Sequence, residues 1–288
     1  MTAHHVFTGL RTALSTSAPF VLLACALVAL AYWMLDPNPP RRVVLATGVA
    51  QGAYAEFGQR YADRLKKHGI DVELRNTQGA AENLALLRDP SSNVQIGFVQ
   101  GGASQAPDAE TTLKSPLQSL GSMFYEPVWL FYRTDSAQRL LKKPTLDSLS
   151  QLAGWRVNIG AAGSGVPHLA TELLDANRIE PSTIALSQQP VTPAVIELLE
   201  SRLDALVLAS APESAMVQML LQTPGIALFD FAQAEAYTRR FGFLSAVTLP
   251  RGVVDLASDK PPADVHMVAP TATLVVREGL HPALAQLF

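Results

Sequence analysis

The sequence predicts an α/β protein of two lobes with a cleft between them, preceded by one N-terminal transmembrane helix. Three observations lead there. Residues 18–35 form an uncharged apolar run. A β-α-β-α-β order follows between Arg42 and Val99, and a second α/β set begins beyond Lys143.

The apolar run comes first in the chain. No residue from Ala18 to Leu35 is charged, and Arg11 is the only Lys or Arg before it. At 1.5 Å per residue it extends roughly 27 Å, close to the ~30 Å hydrocarbon core of a bilayer. Tyr32 and Trp33 stand at its far end, where amphipathic rings suit the membrane interface. A soluble amphipathic helix would show polar positions every third or fourth residue, and this run shows none. It is expected to act as an uncleaved signal anchor in the inner membrane of a bacterium, with the rest of the chain periplasmic. Asp36-Pro37-Asn38-Pro39-Pro40 is a stiff polar exit, and no small-x-small cleavage pattern follows the apolar run. Leu22-Leu23-Ala24-Cys25 imitates a lipoprotein box, yet apolar residues continue beyond Cys25, which favours a buried, inert cysteine.

Past the exit, Arg42–Ala46 reads as a strand. Tyr54–Lys67 reads as a helix with Phe57, Tyr61 and Leu65 on one face. Ile70–Leu74, the turn Thr77-Gln78-Gly79, the helix Ala81–Arg88 and the strand Val94–Val99 complete a parallel arrangement. Residues 103–116 read as a polar surface loop. Leu117–Arg133 is almost continuously apolar and reads as two strands broken near Glu126-Pro127; polar Thr134–Lys143 reads as a crossover. In the second set, strands are expected at Trp155–Ile159, Ile184–Ser187, Ala205–Leu208 and Ile226–Phe231. Helices are expected at Pro167–Ala176, Pro193–Ser201 and Glu213–Leu221. Leu244–Leu249 and Thr273–Arg277 return as strands, and a helix opens after Pro282, which leaves a short carboxyl end at Phe288. The expected division is an anchor and Pro-rich linker over 1–40, a first lobe over 41–133 plus 245–288, and a second lobe over 134–244.

Composition narrows the function. The chain has 288 residues, 48% hydrophobic, with 22 Lys+Arg against 25 Asp+Glu. That balance leaves no basic excess to neutralise nucleic-acid phosphates, and a mean hydropathy of +0.17 excludes a disordered chain. One cysteine excludes an intramolecular disulfide, and the six histidines fall in no metal-ligand spacing. No metal or cofactor is expected. Gly163-Ser164-Gly165 is no nucleophile elbow, because Ala162 and Val166 hold the outer glycine positions. With no P-loop, dinucleotide fingerprint or acid/base pair, an enzyme is disfavoured.

What recurs is a strand that ends in small or hydroxyl residues and opens a helix. Thr47-Gly48, Thr77, Gly163-Ser164-Gly165 and Ala209-Ser210-Ala211-Pro212 each do this. Ser and Thr favour such positions as plain N-caps. Four of them across two facing lobes favour a cleft in which helix-start N–H groups and hydroxyls hold a small anion.

On these segments the chain resembles the TAXI family of TRAP-transporter solute-binding proteins, which have the type II periplasmic-binding-protein fold. The likeness rests on Ala46-Thr47-Gly48 with Gly52-Ala53-Tyr54, on Thr77 to Leu84 (TQGAAENL), and on Phe98-Val99-Gln100. Leu149 to Gly165 (LSQLAGWRVNIGAAGSG) is similar to the family's L-x-x-L-x-G-K-R-V-x-x-G-x-x-G-S-G stretch, and Arg202-Leu203-Asp204-Ala205 to its G-x-x-D-A strand entry. The resemblance implies an extracytoplasmic receptor that closes on a small organic anion, glutamate-like or a dicarboxylate, and delivers it to TRAP membrane subunits. Thr47, Gly48, Tyr54, Thr77, Gly79, Asn83 and Gln100 are the expected wall of the first lobe. Ser164, Gly165 and Ser210 are that of the second. Two departures, Ala80 for the family's Ser and Gly102 for its Asp, imply a larger or less polar ligand. A membrane-tethered sensor and an ABC-importer receptor are the alternatives on the same fold.

Overall fold

Two mixed sheets, each flanked by helices, form the body of the protein in a computed structural model that describes residues 18–32, 40–50, 52–103 and 117–288. Residues 18–32 are helical (α1), with the side chains of Phe20, Leu22 and Val28 exposed. Among the described residues no helix is long and apolar enough to cross a membrane; residues 33–35 of the expected span and the exit at 36–39 lie outside them. So does 104–116 of the expected polar loop.

The first sheet runs β10-β11-β3-β1-β2, with β4 also on β11. Its strands are β1 (Arg42–Ala46), β2 (Asp71–Arg75), β3 (Ile96–Gln100), β4 (Leu117–Tyr125), β10 (Leu244–Leu249) and β11 (Val265–Arg277). β1, β2 and β3 are parallel, linked by helices α2 (Ala53–Lys66) and α3 (Ala80–Arg88). β1 and β3 are Val/Leu/Ile/Phe-rich and buried, as strands covered on both faces must be. Val43, Leu45, Ile96, Phe98 and Leu274 pack there against Tyr54 and Leu65 of α2.

The second sheet runs β7-β6-β8-β5-β9. It comprises β5 (Val128–Arg133), β6 (Arg156–Asn158), β7 (Ala185–Ser187), β8 (Ala205–Ala209) and β9 (Ile226–Leu228). Helices α4 (Thr134–Leu141), α5 (Val166–Ala176), α6 (Val191–Leu199), α7 (Ala215–Gln222) and α8 (Ala234–Arg240) surround it; α9 (Pro282–Ala285) closes the chain. Trp155, Val157, Leu169 and Leu173 fill one face of this sheet, and Trp129, Phe131 and Leu198 the other.

Three features differ from the sequence expectation. Both sheets are mixed: β4, β10 and β11 join the first and β5 and β9 the second through antiparallel pairs. A strand that crosses between lobes re-enters against the direction of the parallel set. Second, β5, read from the sequence with the first lobe, is hydrogen-bonded into the second sheet, so the chain crosses at Glu126-Pro127. Third, polar 134–143 is mostly helix α4. Its Ser136 and Arg139 are spent on Asp204, which is only 1% exposed. Arg156 adds its backbone N–H and two guanidinium donors to the same carboxylate, all at 2.9 Å. Burial alone would raise the Asp204 carboxyl; the donors of Arg156 and Ser136 and the Arg156 charge overcome it and hold it at about 2. The Asp of the Arg202–Ala205 segment is therefore an internal tie of the second lobe.

Candidate functional site

The carboxyl ends of β1, β2 and β3 meet at one edge of the first sheet, the edge where open α/β sheets hold ligands. Thr47, Thr77 and Asn83, predicted to face the solute, are turned inward and bind one another. Thr77 Oγ1 lies 3.0 Å from the Thr47 carbonyl and 2.6 Å from Asn83 Oδ1. Asn83 Nδ2 donates to the carbonyls of Thr47 and Phe98, fastening α3 to β1 and β3. Thr47 and Asn83 have no exposed surface. Gly48 is also buried; its carbonyl accepts the Thr77 N–H, and a Cβ there would stand 3.3 Å from the Tyr54 ring.

The loop after β6 supplies the opposing side. Ser164 Oγ donates to the Ala161 carbonyl at 2.7 Å and lies 3.4 Å from the Val166 N–H. Pro167 stands in the first turn of α5, where its missing N–H costs nothing. This loop touches the first lobe at four points. Glu82 N–H donates to the Gly163 carbonyl at 3.0 Å. A methyl on Gly163 would come within 2.5 Å of Gln78 Cβ, and one on Gly165 within 2.2 Å of Gln100 Oε1. Gly79, the residue before α3, faces Ser164 with room for hydrogen only: a Cβ there would sit 3.2 Å from Ser164 Cα. The structure thus brings Gly79, Gln100, Ser164 and Gly165 to one seam. Ser210 takes a different place beside the crossover, its N–H on the Pro127 carbonyl and its carbonyl on Trp129 Nε1.

Behind Gln100 lies a residue that sequence reasoning passed over. Glu126, 7% exposed, occupies the crossover between β4 and β5. Its Oε2 accepts the Tyr54 hydroxyl at 2.8 Å and Gln100 Nε2 at 3.3 Å, and its N–H donates to the Pro270 carbonyl at 2.9 Å. Tyr54 is fixed in turn by stacking on Phe98, with ring centroids 5.1 Å apart. Burial lifts the Glu126 carboxyl to about 7, against the smaller downward pull of the Tyr54 and Gln100 hydrogen bonds. Burial and then the Glu126 charge push the Tyr54 hydroxyl well up. The signal in the sequence was a lone carboxylate inside the apolar run Leu117–Arg133.

One helical turn beyond the loop, His168 Nε2 and Glu172 Oε2 are buried without hydrogen-bond partners among the described residues; the two side chains approach to 3.6 Å. No group of three His, Cys, Asp or Glu among the described residues is placed to hold a metal. A cavity of about 20 Å³ lies in the second lobe's core, lined by Val128, Leu152, Ala170 and Phe231 among other apolar residues. It is too small for a solute and lies within the packing.

Two mixed α/β sheets whose strand ends face each other across a seam are the architecture of the periplasmic binding proteins. The chain belongs to the NMT1-like family, which it matches over residues 45–287. No curated protein matches the chain at a significant level. Among solved structures it is similar to a protein of Bordetella bronchiseptica RB50, at 14% identity and a TM-score of 0.56, covering 86% of this chain and 68% of that one. It is also similar to an ATP-bound protein of Xanthomonas citri, at 16% identity and 0.51, over 86% and 81%. The periplasmic binding protein BugD matches at 14% and 0.51, over 87% and 81%. At these identities the likeness is one of fold.

Proposed function

We propose that this protein is the extracytoplasmic solute-binding receptor of a TRAP-type (TAXI) uptake system, tethered to the inner membrane through residues 18–35. It closes on a small carboxylate-bearing solute, an amino acid or dicarboxylate. The observation that carries this reading is the seam: Gly79 and Gln100 of one lobe meet Ser164 and Gly165 of the other so closely that neither glycine has room for a Cβ. When the lobes part, the start of α5 presents backbone donors and the positive end of its dipole to an incoming carboxylate. The Ser164 hydroxyl adds a further donor. Gln100 and Tyr54 line the first lobe's side, and Ser210 the crossover end.

A ligand that binds only the folded state stabilises it by RT ln(1 + [L]/Kd), roughly 2.7 kcal/mol at a hundredfold excess over Kd. The full chain in detergent, screened by thermal unfolding against carboxylates, amino acids and aromatic acids, should gain stability with at least one class. A flat screen sinks the receptor reading, and turnover of any compound replaces it with an enzyme. The membrane partner is tested separately by the neighbouring genes. TRAP membrane subunits support uptake of this type, ABC subunits the ABC alternative, and a kinase or cyclase a tethered sensor.

A further inference from the structure

We propose that Glu126 binds a positively charged nitrogen of the solute, so that the receptor selects molecules bearing an ammonium or guanidinium group beside their carboxylate and rejects plain carboxylates of the same skeleton. The inference rests on the solute-receptor reading above and adds the half of the ligand that reading leaves open.

Three observations carry it. The first is position. Glu126 sits where the chain passes from one lobe to the other, and Gln100 alone bridges it to the seam, its Nε2 on Glu126 and its Oε1 against Gly165. Parting the lobes at Gly165 uncovers Gln100 and, behind it, this carboxyl. The second is charge. Among the described residues, the hydrogen-bond partners of Glu126 are the Tyr54 hydroxyl, the Gln100 amide and the Pro270 carbonyl, none of them cationic. A carboxylate this deeply buried without a countercharge is unfavourable, and elsewhere in this protein the rule is kept: Asp204, also buried, holds two arginines. The third is orientation. Both neutral donors converge on Oε2, and no described residue donates to Oε1. The carboxyl is thus held in place with one oxygen open, the arrangement that a cationic donor completes. The anion-binding elements lie on the other side of Gln100, at the start of α5. A zwitterion spans the two.

A purely structural acid is the competing explanation: Glu126 would serve only to anchor Tyr54 and Gln100. Matched ligand pairs separate the two. The full chain in detergent is titrated by calorimetry with L-glutamate against glutarate, L-phenylalanine against 3-phenylpropanoate and L-arginine against 5-guanidinopentanoate. The last pair keeps a cation in both members and reports which nitrogen is read. The proposal expects the amine-bearing member of a bound glutamate or phenylalanine pair to bind roughly ten- to a hundredfold more tightly, as a charge-assisted hydrogen bond would give. It expects Glu126→Gln, which keeps the shape and an acceptor for Tyr54, to lose that preference while unfolding cooperatively as wild type does. Glu126→Asp should recover part of it. Equal affinity within a bound glutamate or phenylalanine pair, where deamination removes the cation, overturns the proposal and leaves the receptor reading standing. So does unchanged preference in Glu126→Gln. No binding by any member of any pair overturns the receptor reading and this proposal with it.

Discussion

At the scale of single residues, Glu126 makes the stability of the folded chain pH-dependent in an unusual direction. An ordinary glutamate ionises near 4.3, whereas burial holds this one at about 7 in the folded state. Below about pH 4 both states are protonated and the residue contributes nothing. As pH rises, the unfolded chain gives up its proton first, so folding loses about 3–4 kcal/mol, a loss complete above pH 7. The groups facing the carboxyl are the Tyr54 hydroxyl, itself pushed up, and the neutral Gln100 and Pro270. Glu126→Gln is expected to match wild type at pH 4 and to be the more stable protein at pH 8, by up to that amount. Urea unfolding at both pH values measures it, and parallel curves would refute it. Residue roles at this edge were only half legible in the sequence. Thr47 and Thr77 follow strand ends and Asn83 lies in the helix beyond, as expected, but a hydroxyl's partner 30 residues away is not written in local spacing. Their donors are consumed inside the first lobe. Glu126 was visible as a charge in an apolar run, and only the crossing of the chain makes its setting clear.

At the scale of elements, the second lobe is tied by one carboxylate. Asp204 joins the start of β8 to β6 through Arg156 and to α4 through Ser136 and Arg139. Asp204→Ala takes the carboxylate away from the Ser136 hydroxyl and from two guanidiniums and should cost about 3 kcal/mol. This is the low end for a buried pair, because Arg139 and Arg156 remain partly in water. Arg139→Ala, removing a half-exposed partner, should cost under about 1 kcal/mol. Comparable losses in the two variants would disprove the assignment. Since the carboxyl is held at about 2, its contribution is present above its unfolded value near 4 and disappears as pH falls toward 2. The polar cast of Thr134–Leu141 concealed α4 for the same reason: its polar groups serve this network. Elements with a clear apolar period, α2 and α5 among them, were placed within a residue or two. α8, short and charged, carried no such period. The first half of β11 was missed because Pro270 interrupts it, and the structure puts that proline where β11 leaves β10 for β3 and β4.

At the scale of the whole molecule, two crossings stand side by side. The Glu126 N–H meets the Pro270 carbonyl, so β4–β5 and the bend of β11 share one pivot. The contacts favour this proline pair, because Leu244 and Val268 already pack with the second lobe's core. Gly165→Val tests closure about that pivot. A branched side chain against Gln100 should wedge the seam, weakening solute binding more than tenfold and raising the radius of gyration by X-ray scattering. A variant as compact as wild type, with unchanged affinity, would remove the seam from the mechanism. The anchor is a separate question of the same scale. The full chain is expected to fractionate with membranes and keep its amino-terminal peptide by mass spectrometry; a soluble product beginning near Asp36 would contradict it.

The contact from the Glu82 amide to the Gly163 carbonyl carries one more consequence. Glu82 lies in the first turn of α3, where an amide has no acceptor within its own helix. Its acceptor belongs to the other lobe, so its proton is shielded from water only while the lobes touch. Deuterium uptake at this single position therefore clocks the opening of the cleft. Amides further along α3 report the integrity of the helix itself. A solute that holds the lobes shut should slow exchange at Glu82 and leave the later turns of the helix as they were.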